Sequence, residues 1–294
     1  MEIASGIHRI ESDLGPRFMC QYALIGDERV LVVDTGLAET PMQVLVPYLE
    51  QVGAEPDFVL ISHADVDHCG GDRSMRERYP QALLMCHELD RRWIESNATL
   101  LNENYLWHEP HGFDEPDEEA RRQILADCGD DTPIDVGLRG GETIRLGDGW
   151  RIEVLHLPGH TLGHVAIWDP RSRAAIIIDA VLSDGIYDRA GNKLIPPRYY
   201  DARAQQDTIR RLRAVEPELL LTAHYPVMAR DEARAWLDEA LAFTERLEAL
   251  VRQAVAGGTT DLWELTKLAN DRLGPYPEWT TELGASVRAH LAAS

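Results

Sequence analysis

The chain reads as an α/β protein, and three observations predict it. Short apolar segments punctuated by Gly, Asp and Pro alternate with helical stretches over residues 7 to 86. After a polar interval, the same strand-then-helix plan returns between residues 149 and 222. Beyond Pro226 the strand signals stop and helical periodicity takes over. At 294 residues and 44% hydrophobic content, the chain can bury one sizeable core and carry a small second unit.

Strands are expected at residues 7–11 (IHRIE), 20–26 (CQYALIG) and 29–34 (RVLVVD), followed by a helix over 39–52 and the apolar strand DFVLIS ending at Ser62. A helix over 70–79 and a strand over 82–86 (ALLMC) complete the first half. Residues 87–140 change character. They are polar and acidic with interspersed aromatics (Trp93, Tyr105, Trp107, Phe113) and helical pieces such as Glu115 to Cys128, the pattern of an insertion or lid. Strands resume at 149–157 (GWRIEVLHL), 164–169 (HVAIWD) and 174–179 (AAIIID), with a helix near 201–214 and a strand at 218–222 (ELLLT). Helices follow over 230–255, 260–273 and 278–292, the second with N-cap oxygens available from Thr260 and Asp261. The boundary falls near 228, giving an α/β domain over 1–228 and a C-terminal helical, winged-helix-like module over 229–294.

The formal net charge of -21 disfavours nucleic acid as a partner, because such binding draws its affinity from Lys and Arg neutralising phosphates. The start of the chain lacks a basic stretch followed by an apolar run, and no window approaches the ~18 apolar residues of a membrane span. A soluble, cytoplasmic protein is the expectation. Cys20, Cys69, Cys86 and Cys128 form no CxxC pair, which argues against a disulfide framework or a thiolate zinc site.

The segment ISHADVDHCGG sets His63, Asp65, Asp67 and His68 directly after an apolar strand. Residues two apart in an extended exit point the same way, so His63 and Asp65 can share an ion, while the turn into a helix carries Asp67 and His68 toward a neighbouring position. The segment HLPGHTLGH presents His160 from a loop broken open by Pro158 and Gly159. His156 and His164 beside it read as structural hydrogen-bonding residues. Asp179 closes the buried run AAIIID, where an unpaired carboxylate is costly, and His224 follows the apolar strand 218–222. A His or Asp delivered four times from the end of an apolar strand predicts a metal centre.

These residues carry a resemblance. HxDxDH, then PGHTLGH, then a strand-terminal Asp and a strand-terminal His, with LVVDTG upstream, resemble the metallo-β-lactamase superfamily over about residues 7 to 228. The resemblance implies an αββα sandwich with two divalent ions in a groove at one edge. It assigns His63, Asp65 and His160 to the first ion, Asp67, His68 and His224 to the second, and Asp179 to both. The chain departs from the usual HxHxDH, since Asp65 stands where the middle histidine belongs. Two dications facing Asp65, Asp67, Asp179 and a bridging hydroxide give a neutral centre and a weaker Lewis acid, so zinc is expected with manganese or iron as alternatives.

The expected reaction is hydrolysis of a carboxylic ester, lactone or related acyl bond by a metal-bridging hydroxide, with Asp67 orienting the water. A tyrosine, Tyr199 first and otherwise Tyr187 or Tyr200, is expected to assist the oxyanion. Phosphodiester hydrolysis, thioester hydrolysis and a di-iron redox centre of flavodiiron type are the rival readings. A small-molecule substrate and a homodimer are the expected partners.

Overall fold

In a computed structural model describing residues 1–113, 116–278 and 280–293, two mixed sheets face each other. The first runs β1 (Glu2–Ala4), β2 (Ile7–Leu14), β3 (Arg17–Ile25), β4 (Val30–Val33), β5 (Phe58–Leu60), β6 (Leu83–His87) and β7 (Val136–Leu138) in spatial order. Its first half is an antiparallel meander whose β2–β3 turn places Gly15 at φ 57°. From β4 to β7 the strands run parallel, and β4 is buried throughout, as a strand covered on both faces must be. The second sheet is formed by β8 (Thr143–Gly147), β9 (Trp150–His156), β10 (Val165–Asp169), β11 (Ala174–Ile178), β14 (Leu219–Thr222) and β15 (Met228–Ala229). A separate hairpin pairs β12 (Ile186–Tyr187) with β13 (Lys193–Ile195).

Helices cover both outer faces. Around the first sheet lie α1 (Val46–Val52), α2 (Val66–Cys69), α3 (Asp72–Arg78), α4 (Arg91–Ile94), α5 (Asn97–Leu100) and α6 (Glu118–Asp127). Glu115, the expected start of that last helix, lies outside the described residues; the helix begins at Glu118, where the Asp117 side chain accepts from Ala120 N–H. The second sheet is covered by α7 (Ala202–Val215), capped by Asp201, and by the first turns of α8 (Arg230–Ala256). Then come α9 (Leu262–Leu273), capped by Asp261, and α10 (Thr280–Ala293).

The inter-sheet core is built from the inward residues of both sheets, among them Tyr22, Leu31 and Leu60 against Ile167, Ile176 and Leu221. Each such side chain contributes about 2 kcal/mol of apolar burial. Three bonds stitch the sheets together where the parallel strands end. Val165 N–H donates to Ser62 O (2.8 Å), Cys20 N–H to Ala223 O (2.8 Å), and the Tyr22 hydroxyl to Thr222 O (2.7 Å). The residues that follow β4, β5, β11 and β14 are thereby fixed against one another at one edge of the sandwich.

Two expectations need adjusting. Strand β7 falls inside the 87–140 stretch, because VGL is too short and too glycine-weakened to show alternation. The C-terminal region is helical as expected, but no strand lies among the described residues beyond Ala229, so its likeness to a winged helix stops at the helices. It is also continuous with the sandwich. Ala233, Leu237 and Ala240 pack on the second sheet, while Phe243 and Leu247 further along α8 join Leu265, Leu283 and Phe113 in a separate core. No helix among the described residues is long and apolar enough to cross a membrane.

Candidate metal centre

All seven residues expected as ligands converge where the two sheets are stitched. Donor atoms within 4.8 Å of one another group as His63–Asp65–His160, as His63–His68–Asp179 and as Asp67–His68–His224. Asp65, Asp67, His160, Asp179 and His224 line a groove of about 260 Å3 together with Leu14, Leu37, Tyr105, Leu182 and Ile195, while His63 and His68 lie fully buried behind them.

Each imidazole is oriented by a bond on its far nitrogen, which fixes the lone pair toward the groove. Asp34, held at φ 63° just after β4, takes Ser62 N–H on Oδ1 (2.7 Å) and the Ser62 hydroxyl on Oδ2 (2.9 Å). Because that hydroxyl is already donating, Ser62 Oγ accepts from His63 Nδ1–H (2.9 Å). Asp34 Oδ2 also accepts from His68 Nδ1–H (2.8 Å). His160 Nδ1–H donates to Arg198 O (2.9 Å), and His224 Nδ1–H donates to Phe18 O (3.1 Å). Four Nε2 atoms therefore point inward.

In the first pocket, His63 Nε2 and His160 Nε2 each lie 3.1 Å from Asp65 Oδ2. Asp65 Oδ1 accepts from Asn104 Nδ2 (3.0 Å), whose own Oδ1 accepts from the Tyr200 hydroxyl (2.7 Å). Arg198 Nη2 donates to Asp65 Oδ2 and lies 3.3 Å from His160 Nε2. Burial acts to raise the Asp65 carboxyl, but Arg198, His160 and His63 outweigh it and hold the group well below the usual carboxylate range. Burial, then the neighbouring His68, push His63 down to about 4, so its ring is neutral at neutral pH.

In the second pocket, Asp179 Oδ2 lies 3.4 Å from His68 Nε2 and 3.1 Å from His224 Nε2, with Asp67 3.8 and 3.7 Å from the same two nitrogens. His68 Nε2 and Asp179 Oδ1 are buried without a hydrogen-bond partner. Burial acts to lower His68, but Asp67, Asp179 and Asp34 raise it well above the usual imidazole value. Inward histidine nitrogens beside three carboxylates are the donor set a divalent cation satisfies in place of the proton that His68 otherwise carries, and the N/O composition suits zinc and its first-row neighbours.

The other expected residues sit elsewhere. Tyr199 is fully buried and its hydroxyl meets His290 Nε2 at 2.8 Å in the helical core, so it does not serve the groove. The Tyr187 hydroxyl is held by the Asp184 carboxylate, and the Tyr200 hydroxyl is spent on Asn104 while its ring lies beside the Arg198 guanidinium at 5.6 Å. His156 donates Nε2–H to Leu162 O (2.8 Å), as expected of a structural histidine. His164 does not: neither ring nitrogen has a partner, and the ring stacks on His63 at 4.7 Å.

Arg198, Glu282, Asn104 and Tyr105 reach the site from regions read as packed loop, helical module and insertion. Tyr105 accepts Val66 N–H (3.0 Å) at the start of α2. Asp90, after β6, gathers the two loops behind the first pocket. It accepts from Ala64 N–H (3.3 Å), the Thr161 hydroxyl (2.5 Å) and Gly163 N–H (2.8 Å).

Known proteins share this fold. A metallo-β-lactamase family protein of Thermus thermophilus aligns over 98% of this chain and 93% of its own, at a TM-score of 0.74 and 22% identity. A β-lactamase domain protein of Burkholderia ambifaria aligns over 99% and 87%, at 0.73 and 17%. In sequence, a hydroxyacylglutathione hydrolase of Hyphomonas neptunium is 39% identical over 122 residues, 40% of this chain and 46% of that protein. One of Haemophilus influenzae is 25% identical over 142 residues, 48% of this chain and 58% of that protein. The chain thus spans about half the length of the curated relatives it matches. The family profile of the metallo-β-lactamase superfamily matches residues 15–224, the span that holds every expected ligand, and the chain belongs to that superfamily.

Proposed function

We propose that the chain is a metal-dependent hydrolase acting on an acyl bond of a small molecule, a carboxylic ester or lactone first. The observation that carries this reading is the convergence of three overlapping His/carboxylate sets at one groove, which five of the seven residues line. His63, Asp65 and His160 are the ligands of one ion, Asp67, His68 and His224 those of another, and Asp179 is shared. Bound there, divalent ions lower the pKa of water and polarise a carbonyl.

The chain's own side chains supply the rest. Asp67 is the most solvent-accessible of the acidic ligands, with its side chain 16% exposed against 9% for Asp65 and 5% for Asp179, so it is placed to accept a proton from the attacking water and orient it. Leu14, Leu37, Leu182 and Ile195 offer an apolar wall to the acyl chain, and Arg17 stands beside them.

Thioester hydrolysis is the second reading, favoured by the hydroxyacylglutathione hydrolases among the relatives. A panel of p-nitrophenyl esters, lactones, a hydroxyacyl-glutathione thioester and bis-p-nitrophenyl phosphate, run with zinc, manganese and iron, tests both. Turnover of esters or lactones above the thioester is the expected result. Preference for the thioester transfers the assignment to the second reading, and turnover of the phosphodiester alone overturns both.

A further inference from the structure

Converging lone pairs must be met by a cation, and the two pockets meet theirs differently. In the first pocket, His63 Nε2, His160 Nε2 and Asp65 Oδ2 are all acceptors, because each imidazole spends its proton on the far side. The positive charge among them comes from the chain itself. Arg198 Nη2 donates to Asp65 Oδ2, the same oxygen that faces both histidines, and lies 3.3 Å from His160 Nε2.

The guanidinium is not a passing surface group. Arg198 is 5% exposed, its Nε lies 3.3 Å from Glu282 Oε2 of α10, and its backbone carbonyl is the acceptor that orients His160. Among the described residues no Lys or Arg takes part in the ion pairs of the second pocket, where Asp67 and Asp179 face the histidines His68 and His224 and Asp179 Oδ1 has no hydrogen bond. The carboxylate that attracts Arg198 is also the residue that departs from HxHxDH. A neutral imidazole at position 65 offers a guanidinium no ion pair.

We propose that Arg198 competes with a metal ion for the first pocket. One divalent ion then binds tightly at Asp67, His68, His224 and Asp179, and a second binds at His63, Asp65 and His160 only as Arg198 moves off Asp65. The inference rests on reading the cluster as a metal centre. It makes the two sites unequal and places the control of that inequality on a pair of residues, Arg198 and Glu282, that reach the groove from the loop after β13 and from α10.

The test is zinc titration of the full-length, metal-free protein by calorimetry, with the retained metal counted after equilibration against chelators of graded strength. Wild type is expected to bind zinc in two steps at least about tenfold apart, and Arg198→Met to tighten the weaker step by roughly tenfold or more. His160→Ala should lose the weak step and keep the tight one, and His224→Ala should lose the tight one. These two variants carry the test if Arg198→Met fails to fold, which circular dichroism would report. Two wild-type steps of equal affinity, a weak step unchanged in a folded Arg198→Met, or loss of the tight step in His160→Ala overturns the competition while leaving the metal centre standing. No zinc bound by wild type at all overturns the metal-centre reading itself.

Discussion

The two ligand pockets draw on the same residue types and on the same edge of the sandwich, yet they differ in how finished they are. Asp65 has both carboxylate oxygens engaged before any ion arrives, by Asn104 on one and by Arg198 on the other. Asp67 has no hydrogen-bond partner within the protein among the bonds described and keeps one face toward solvent. The difference teaches that identical ligand chemistry does not imply identical metal affinity. What decides it is whether the protein has already supplied the charge, because a buried carboxylate left alone is too costly to persist.

Removing one histidine from each pocket is the strongest way to break that comparison. His224→Ala is expected to lower kcat/KM on the best acyl substrate by about a thousandfold, the several kcal/mol a Lewis-acid site contributes. His160→Ala should cost less, roughly 10- to 100-fold, because its pocket is the one shared with Arg198. Steady-state kinetics at saturating zinc measure both. Equal losses would show that the pockets are equivalent in turnover.

Folding stability without metal sharpens the contrast from the other side. Asp65→Asn leaves Arg198 buried with Glu282 as its remaining carboxylate, and breaking a buried pair from one end costs about 4 kcal/mol. Asp67→Asn removes a partly exposed carboxylate more than 3.5 Å from either histidine, and should cost less stability than Asp65→Asn. Urea unfolding of the two chelator-treated variants makes the comparison. A larger loss in Asp67→Asn would mean that the second pocket, not the first, is the prefolded one.

The clustered His and Asp residues were legible in the sequence and Arg198 beside them was not, for a physical reason. His63, Asp179 and His224 each follow an apolar run, and a polar side chain at the end of a buried strand announces a partner. The same logic located the central strands and the capped helices α7 and α9. Arg198 lies in PPRYYD, which carries no periodicity, and the carboxylate it meets is 133 residues away in sequence. Tyr199 and Tyr200 are neighbours in that segment and point to opposite fates, one into the helical core and one onto Asn104. Loop side-chain direction follows from tertiary packing, so a loop tyrosine cannot be assigned to a groove from its position in the chain. His164 misled in the reverse way. A buried histidine ordinarily finds a hydrogen bond, whereas this one is used as an apolar ring against His63.

The carboxylates behind the pockets extend the contrast and give the smallest of the expected effects. Asp34, behind His68, accepts three bonds from Ser62 and His68. Asp90, behind the first pocket, also accepts three, from Ala64, Thr161 and Gly163, but burial outweighs them and raises it to about 6. Since the folded value lies above the unfolded one near 3.8, the folded state binds more protons between about pH 4 and 6. This group's stabilising contribution is therefore complete below pH 4 and is lost as pH rises through 6. Asp90→Asn removes that slope. The unfolding free energy of wild type minus that of the variant should fall by about 2 kcal/mol from pH 4 to pH 7.5, measured by denaturant unfolding at each pH. A difference that stays flat across this window would mean that the three bonds keep Asp90 ionised, and the loops behind the first pocket would then be clamped by a charge at every pH at which the protein is folded.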